Sequence, residues 1–358
     1  MNIEVSIQIE LFEVFPQIIA TFAKKSENNI SNAATTAIAL SACSLVCYKV
    51  MIENIKIFAA PVQGITDCHW RNAHHEIFGG PDGYFGPFMR VEHKEIRKRD
   101  IFDANPENNS VPVFTPQILA CQPKDALRMV EALKEMGHSA IDINLGCPFP
   151  PIALHHKGSG LLQYPDEVEK LFKALSKVED VSYSVKMRLG WDEPTHWRDI
   201  IPLLDIIGPT HVTVHPRSGR QQYKGVLDLD QFNAIVAASH YPVIYNGELK
   251  NLDDISRMSK ILPGIAGMMI GRGLIEDPAM LCPEKATADN YCELHNRLRD
   301  AYTSQLNGGE HQLLLKMKSL WETFLPNAPH KSLKAIKKAT TMAKYNVAVS
   351  ELFYSLET

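Results

Sequence analysis

No two of the seven cysteines form a CxxC pair; they stand at Cys43, Cys47, Cys68, Cys121, Cys147, Cys282 and Cys292. An odd, scattered set argues against a disulfide framework and against a zinc ribbon, and fits a reducing, cytoplasmic setting. HExxH is also missing, so His74-His75-Glu76 and His155-His156 carry no metal-site pattern, and no metal is expected. No GxGxxG follows a strand-like run, which argues against a Rossmann dinucleotide site, and Gly158–Gly160 has no Walker lysine. Neither sign of charge dominates: 37 Lys and Arg face 41 Asp and Glu, for a net charge of -4. Bulk attraction to nucleic acid is therefore not expected, which leaves only local basic patches. A chain that is 45% hydrophobic and 22% charged is not of the disordered class.

Long charge-free runs are scarce as well. The one at residues 30–48 has the length of a membrane span, and Leu40-Ser41-Ala42-Cys43 has the look of a lipoprotein cleavage site. Its Ser and Thr content, and Glu4, Glu10, Glu13 and Glu27 ahead of it, count against both readings. Met51 followed by IENIKIFAAP reads as a start beside a first strand. Residues 1–50 are expected to be an extension, non-native or disordered, with no membrane association.

What the chain does have is alternation. Eight short apolar runs are expected as strands: Ile57–Ala60, Tyr84–Phe88, Val113–Ile118, Ala140–Asn144, Ser184–Arg188, His211–His215, Val243–Asn246 and Gly267–Gly271. Between them lie segments of helical period, such as Pro123–Met136, Pro165–Leu175 and Leu252–Ile261. This order predicts an α/β fold, a (β/α)8 TIM barrel over residues 51–287, followed by a small helical domain over 288–358. The last helix is expected over Ser332–Ala348, with Lys331, Lys334, Lys337, Lys338 and Lys344 as a basic stripe and Leu333, Ile336, Ala339 and Ala343 facing inward. Such a stripe could follow phosphates or simply face solvent.

A barrel carries its chemistry at the C-terminal ends of its strands. In chain order those ends hold Pro61, Gln117, Asn144 with Cys147, Lys186 with Arg188, His215 with Arg217, Asn246-Gly247-Glu248 and Gly271-Arg272. Polar groups converging on one mouth point to a large polar ligand. The two glycine loops after the last two strands suit a phosphate, with Arg272 able to add charge-assisted bonds. Lys186 alternates with apolar residues and could face a phosphate, an electron-rich ring or an internal carboxylate. Cys147 sits between Gly146 and Pro148, where its thiol could act as nucleophile or proton donor.

These segments resemble the tRNA-dihydrouridine synthase family. The likeness rests on Ala60-Pro61-Val62-Gln63-Gly64, on Asp142-Ile143-Asn144-Leu145-Gly146-Cys147-Pro148 and on Gly158-Ser159-Gly160-Leu161-Leu162. It continues through Val185-Lys186-Met187-Arg188, His215-Pro216-Arg217 to Tyr223-Lys224-Gly225, Tyr245-Asn246-Gly247-Glu248 and Gly271-Arg272-Gly273. The resemblance implies FMN in the barrel mouth, with its phosphate at Asn246, Gly247, Gly271 and Arg272. Pro61, Val62, Gln117, Lys186 and His215 would surround its ring and ribityl chain, with Gln63 and Glu248 also at the cofactor. It implies NADPH or NADH as reductant, tRNA as partner, and reduction of the uridine C5–C6 bond. Hydride would come from flavin N5, and the proton from Cys147. Asn144, Arg188 and Arg217 would hold the substrate, and a cytoplasmic monomer is expected. An FMN barrel acting on a free pyrimidine, similar to dihydroorotate dehydrogenase, is the alternative.

Overall fold

The computed structural model describes residues 55–357, and 55–358 cluster as one compact unit. The expectation for residues 1–50 lies outside the described residues. The strands are β1 (Lys56–Ala59), β2 (Gly83–Phe85), β3 (Val91–Glu92), β4 (Glu95–Ile96), β5 (Phe114–Thr115), β6 (Gln117–Ile118), β7 (Ala140–Leu145), β8 (Ser182–Gly190), β9 (Val212–Ser218), β10 (Val243–Tyr245) and β11 (Gly267–Ile270). Nine of them form one sheet in the order β5-β2-β1-β11-β10-β9-β8-β7-β6, and all its pairs are parallel.

The two ends of that order, β5 and β6, are consecutive in the chain and separated by Pro116 alone. The sheet therefore curls into a barrel whose seam is the third expected strand, divided in two. Proline has no N–H to give, so the ladder changes partners there. Gly86 N bonds Thr115 O at 3.0 Å on one side, and Asp142 N bonds Pro116 O at 2.9 Å on the other.

The helices are α1 (Cys68–Ile77), α2 (Lys98–Ala104), α3 (Pro123–Glu135), α4 (Pro150–Ala153), α5 (Pro165–Leu175), α6 (Trp197–Ile200), α7 (Leu229–Ala238), α8 (Leu252–Ile261) and α9 (Arg272–Glu276) around the barrel. After it come α10 (Ala288–Gln305), α11 (Gly309–Leu320), α12 (His330–Lys338) and α13 (Met342–Glu357). Their sequences explain their limits. Proline opens α3 and α5, where its missing N–H costs nothing. Asp67, Asp228, Asn251 and Thr287 cap α1, α7, α8 and α10 through their side chains. Ala126, Met129, Val130 and Leu133 of α3, and Val168, Leu171, Phe172 and Leu175 of α5, are fully buried. Each large apolar side chain so buried contributes roughly 1.5–3 kcal/mol. Inside the barrel, Phe58 and Phe85 meet edge to face at 5.8 Å, and both pack on His211 just before β9.

One element drew no expectation and one expectation changes. Residues 91–96 form the β3–β4 hairpin, and α2 follows it. The helix expected over Ser332–Ala348 is two helices. Lys318 Nζ donates to Ala339 O at 3.0 Å, and Thr341 Oγ1 accepts from Lys344 N at 3.3 Å to start α13. Ala343 is exposed rather than inward, and Lys344 stands on a different helix from Lys331, Lys334, Lys337 and Lys338. Among the described residues no helix is long and apolar enough to cross a membrane, and no group of His, Cys, Asp and Glu could hold a metal.

Candidate active site

The strand ends surround a cavity of about 430 Å³, a size ordinary for a small-molecule site. Pro61, Val62, Gln63, Gln117, Asn144, Cys147, Lys186, Arg188, His215, Arg217, Asn246, Gly247, Glu248, Gly271 and Arg272 all line it. Residues brought in without a sequence signal include Phe88, Phe149 and Thr323, the last from the segment after α11. Tyr223 and Gln222 also line it; they fall inside the quoted His215–Gly225 segment but drew no separate reading.

One side of the cavity is a relay of hydrogen bonds. Ser184 Oγ donates to Asp142 Oδ1 at 2.5 Å, and Gln117 Nε2 to Asp142 Oδ2 at 2.6 Å. Asn144 Nδ2 donates to Gln117 Oε1 at 2.7 Å, while Asn144 Oδ1 accepts from the amides of Gly146 at 2.9 Å and Cys147 at 2.8 Å. Burial raises the Asp142 carboxyl to about 6, against the pull of Gln117 and Ser184. The relay fixes the loop that carries Cys147.

Cys147 packs beside Phe88, Leu119 and Ile152. Its carbonyl accepts from Ser159 Oγ at 2.9 Å and Ser159 N at 3.1 Å. Gly158, at φ +58°, presses against this loop so closely that a Cβ there would lie 2.7 Å from Cys147 O. Burial raises the thiol pKa, offset by the Phe149 amide and by Arg188, Arg90 and Lys186. A thiol shifted upward stays protonated near neutrality, a state that suits a proton source better than a thiolate nucleophile.

The other side is cationic. Lys186 is half-buried in the cavity wall and donates to Asn246 Oδ1 at 2.6 Å, while Asn246 Nδ2 holds Met269 O at 2.7 Å. Burial, then Arg188, lowers the Lys186 ammonium to about 8. Arg188 gives its donors to backbone: Gly146 O at 3.1 Å, Ser218 O at 3.0 Å and Gln222 O at 2.7 Å. It thereby ties the Cys147 loop to the segment after β9. Arg217 bonds Gly225 O at 2.7 Å and Glu248 Oε1 at 2.8 Å, and Arg272 lies 3.5 Å from the same oxygen. His215 is held neutral, first by burial and then by the surrounding cations. Tyr223 is flanked by two guanidinium carbons, with Arg272 4.5 Å and Arg188 5.5 Å from its ring centre.

The glycine edges differ. A Cβ on Gly247 would lie 1.9 Å from the Tyr245 hydroxyl, so only glycine fits there; the hydroxyl itself is buried without a partner. A Cβ on Gly271 would make ordinary contact with Ala60 and Val62 at 3.5 and 3.6 Å.

The two His pairs have structural roles. His74 is buried between the Tyr84 hydroxyl at 2.8 Å and Pro278 O at 3.1 Å, and burial lowers it to about 3. His156 stacks on Tyr164 at 3.8 Å and faces Glu167 at 3.1 Å.

Comparison with known proteins agrees with this geometry. The chain is 30% identical over 225 residues to a probable tRNA-dihydrouridine synthase of Rhizobium leguminosarum bv. phaseoli, covering 61% of this chain and 68% of that one. It is 31% identical over 222 residues to tRNA-dihydrouridine synthase B of Klebsiella pneumoniae, covering 61% and 67%. To the tRNA-dihydrouridine(16) synthase of Haemophilus ducreyi it is 28% identical over 241 residues, covering 64% and 73%. The dihydrouridine synthase family model matches residues 58–347. That match begins in the first barrel strand and ends in the last helix, so barrel, cavity and helices fall within it together, and the chain belongs to the dihydrouridine synthase family.

Proposed function

We propose that this protein is an FMN-dependent reductase that converts uridine in tRNA to dihydrouridine, with NADPH or NADH as the source of electrons. The observation that carries the reading is the pairing of a half-buried lysine bonded to an amide with a cysteine thiol in one strand-end cavity. An ammonium drawn partly out of water favours an anionic partner, and Lys186 has an amide oxygen instead. The cavity's donor set fits a flavin: Lys186 beside the ring, with Pro61, Val62, Gln63, Gln117 and His215 around it. Asn246, Gly247, Gly271 and Arg272 would hold its phosphate, beside Glu248, which bridges Arg217 and Arg272. Bound in this cavity, reduced flavin would supply hydride for C6 of the uracil ring.

The chain's own residues do the rest. Cys147 gives its proton to C5, and its raised pKa keeps that proton in place until then. Lys186 holds positive charge beside the electron-rich ring. Asn144, through its bonds to the Gly146 and Cys147 amides, keeps the thiol's loop in place. Arg188 and Arg217 form the cationic wall against which the uracil or its ribose rests. A base enters such a mouth only after leaving the RNA stack. The exposed Lys331, Lys334 and Lys338 of α12, with Lys344 of α13, supply local charge for the RNA backbone, so residues 288–358 act as the RNA-contacting part.

The relatives, tRNA-dihydrouridine synthases by name, support tRNA as substrate. The test is direct: purified protein should be yellow, and with NADPH or NADH it should form dihydrouridine in tRNA. A colourless protein that takes up no FMN overturns the flavin reading. Turnover of free uracil or orotate in place of tRNA overturns the substrate reading.

A further inference from the structure

The helices after the barrel reach back to its first loop. Lys316 on α11 donates to Gly64 O at 2.8 Å and lies 3.0 Å from Asp67 Oδ2. The same ammonium sits 4.4 Å from the centre of the Tyr302 ring. Tyr302, buried on α10, places its hydroxyl 2.8 and 2.9 Å from the two Asp67 oxygens. Asp67 meanwhile caps α1 by accepting from Trp70 N at 3.2 Å. One carboxylate therefore gathers three elements, two of them from the C-terminal helices.

The loop so held is the one that contributes Val62 and Gln63 to the cavity. Its other fastenings are internal. Thr66 Oγ1 accepts from Val62 N at 2.8 Å, Ile65 N and Thr66 N both donate to Val62 O at 3.1 Å, and Arg71 holds Thr66 O at 2.8 Å. Gly64 turns the chain with φ +88°, and Lys316 takes the carbonyl of that turn. An ammonium on a carbonyl is a charge-assisted bond, and the Lys316 side chain is only 23% exposed, so it is not a freely waving surface charge.

We propose that Lys316 is a positioning residue for the cofactor: from the helical part of the chain it fixes the Gly64 turn and thereby sets Val62 and Gln63 against the flavin. The helices are then part of the cofactor site as well as an RNA-facing surface. This rests on the flavin reading above only in its second consequence; the first concerns the loop alone.

The test uses the full chain carrying Lys316→Met, with Lys316→Arg as the conservative partner. Hydrogen exchange is followed at the amides of Gln63 to Thr66, with Val185 in β8 as a distant reference, and FMN affinity is measured by titration. Loss of a charge-assisted bond predicts about tenfold faster exchange in the loop, unchanged exchange at Val185, and FMN binding weakened about tenfold, all largely restored in Lys316→Arg. Unchanged loop exchange overturns the clamp. Faster loop exchange with unchanged FMN affinity overturns its role toward the cofactor. If the parent protein takes up no FMN, the flavin reading itself has failed, and the cofactor role falls with it whatever the loop does. Should Lys316→Met not fold, Lys316→Gln, which removes the charge and shortens the reach to the Gly64 carbonyl while staying polar, takes its place, and the same outcomes apply.

Discussion

Lys186 on β8 and Asn246 after β10 meet at 2.6 Å across the intervening β9. The contact joins the two residues that bracket the cationic side of the cavity. It is a bond between a charge and a neutral amide, so an anionic ligand can compete for the ammonium. Burial brings Lys186 down to about 8 from an ordinary value of 10.5. Between those limits the unfolded chain holds a proton that the native protein has shed. Stability without ligand therefore rises with pH across that window. An anionic ligand needs the charged lysine, so FMN affinity should fall as pH climbs through about 8. Lys186→Met should weaken FMN binding and remove that pH dependence; titrations at pH 6.5 to 9.5 check both.

Cys147→Ala should keep bound flavin and lose dihydrouridine formation by about a hundredfold or more, the usual contribution of a general acid. The readout is dihydrouridine content of tRNA beside the visible spectrum of the variant. Unchanged product would remove Cys147 from the proton step.

Gly158→Ala places a methyl 2.7 Å from the Cys147 carbonyl at a positive φ. The expected cost is roughly 1–3 kcal/mol of stability, seen as a lower denaturant midpoint, with activity falling more than stability because the displaced loop carries the thiol.

Glu248 draws on both Arg217 and Arg272 at the cavity edge. Glu248→Gln releases positive charge there, so binding of a phosphate-bearing ligand should tighten by about three- to tenfold and become more salt-sensitive. Riboflavin, which lacks the phosphate, is the control and should not gain. Equal gains for both would place the phosphate elsewhere.

The barrel and most of its mouth were legible in the sequence because both are local. A strand is a short apolar run, and the residue that matters lies within it or just after it: Lys186 in β8, His215 in β9, and Asn246 directly after β10. Proline and glycine mark the ends. Pro116 shows where local reading stops: one apolar run, Val113–Ile118, serves as two strands because its proline cannot donate on either side. The break after Lys338 was equally hidden. Ala339-Thr340-Thr341 holds no strong helix breaker, and the break depends on Lys318 taking a carbonyl from another helix. Thr323 and Lys316 drew no signal, since their partners at the cavity and at Gly64 lie far back in the chain. Arg188 and Arg217 were read as substrate ligands from the family resemblance; the structure adds that their donors are engaged by carbonyls and by Glu248.

The cavity wall runs from Pro61, just past the first strand, to Thr323, beyond the third helix from the C-terminus. A ribosome delivers these residues in that order. Most of the barrel is therefore synthesised well before its mouth has its last side chain. A nascent chain halted before α11 lacks both Thr323 and the lysine that fastens the first loop. Holding a ligand in this cavity thus becomes a report that the chain has been made at least through α11 and Thr323, and a product truncated before them should betray itself by failing to retain one.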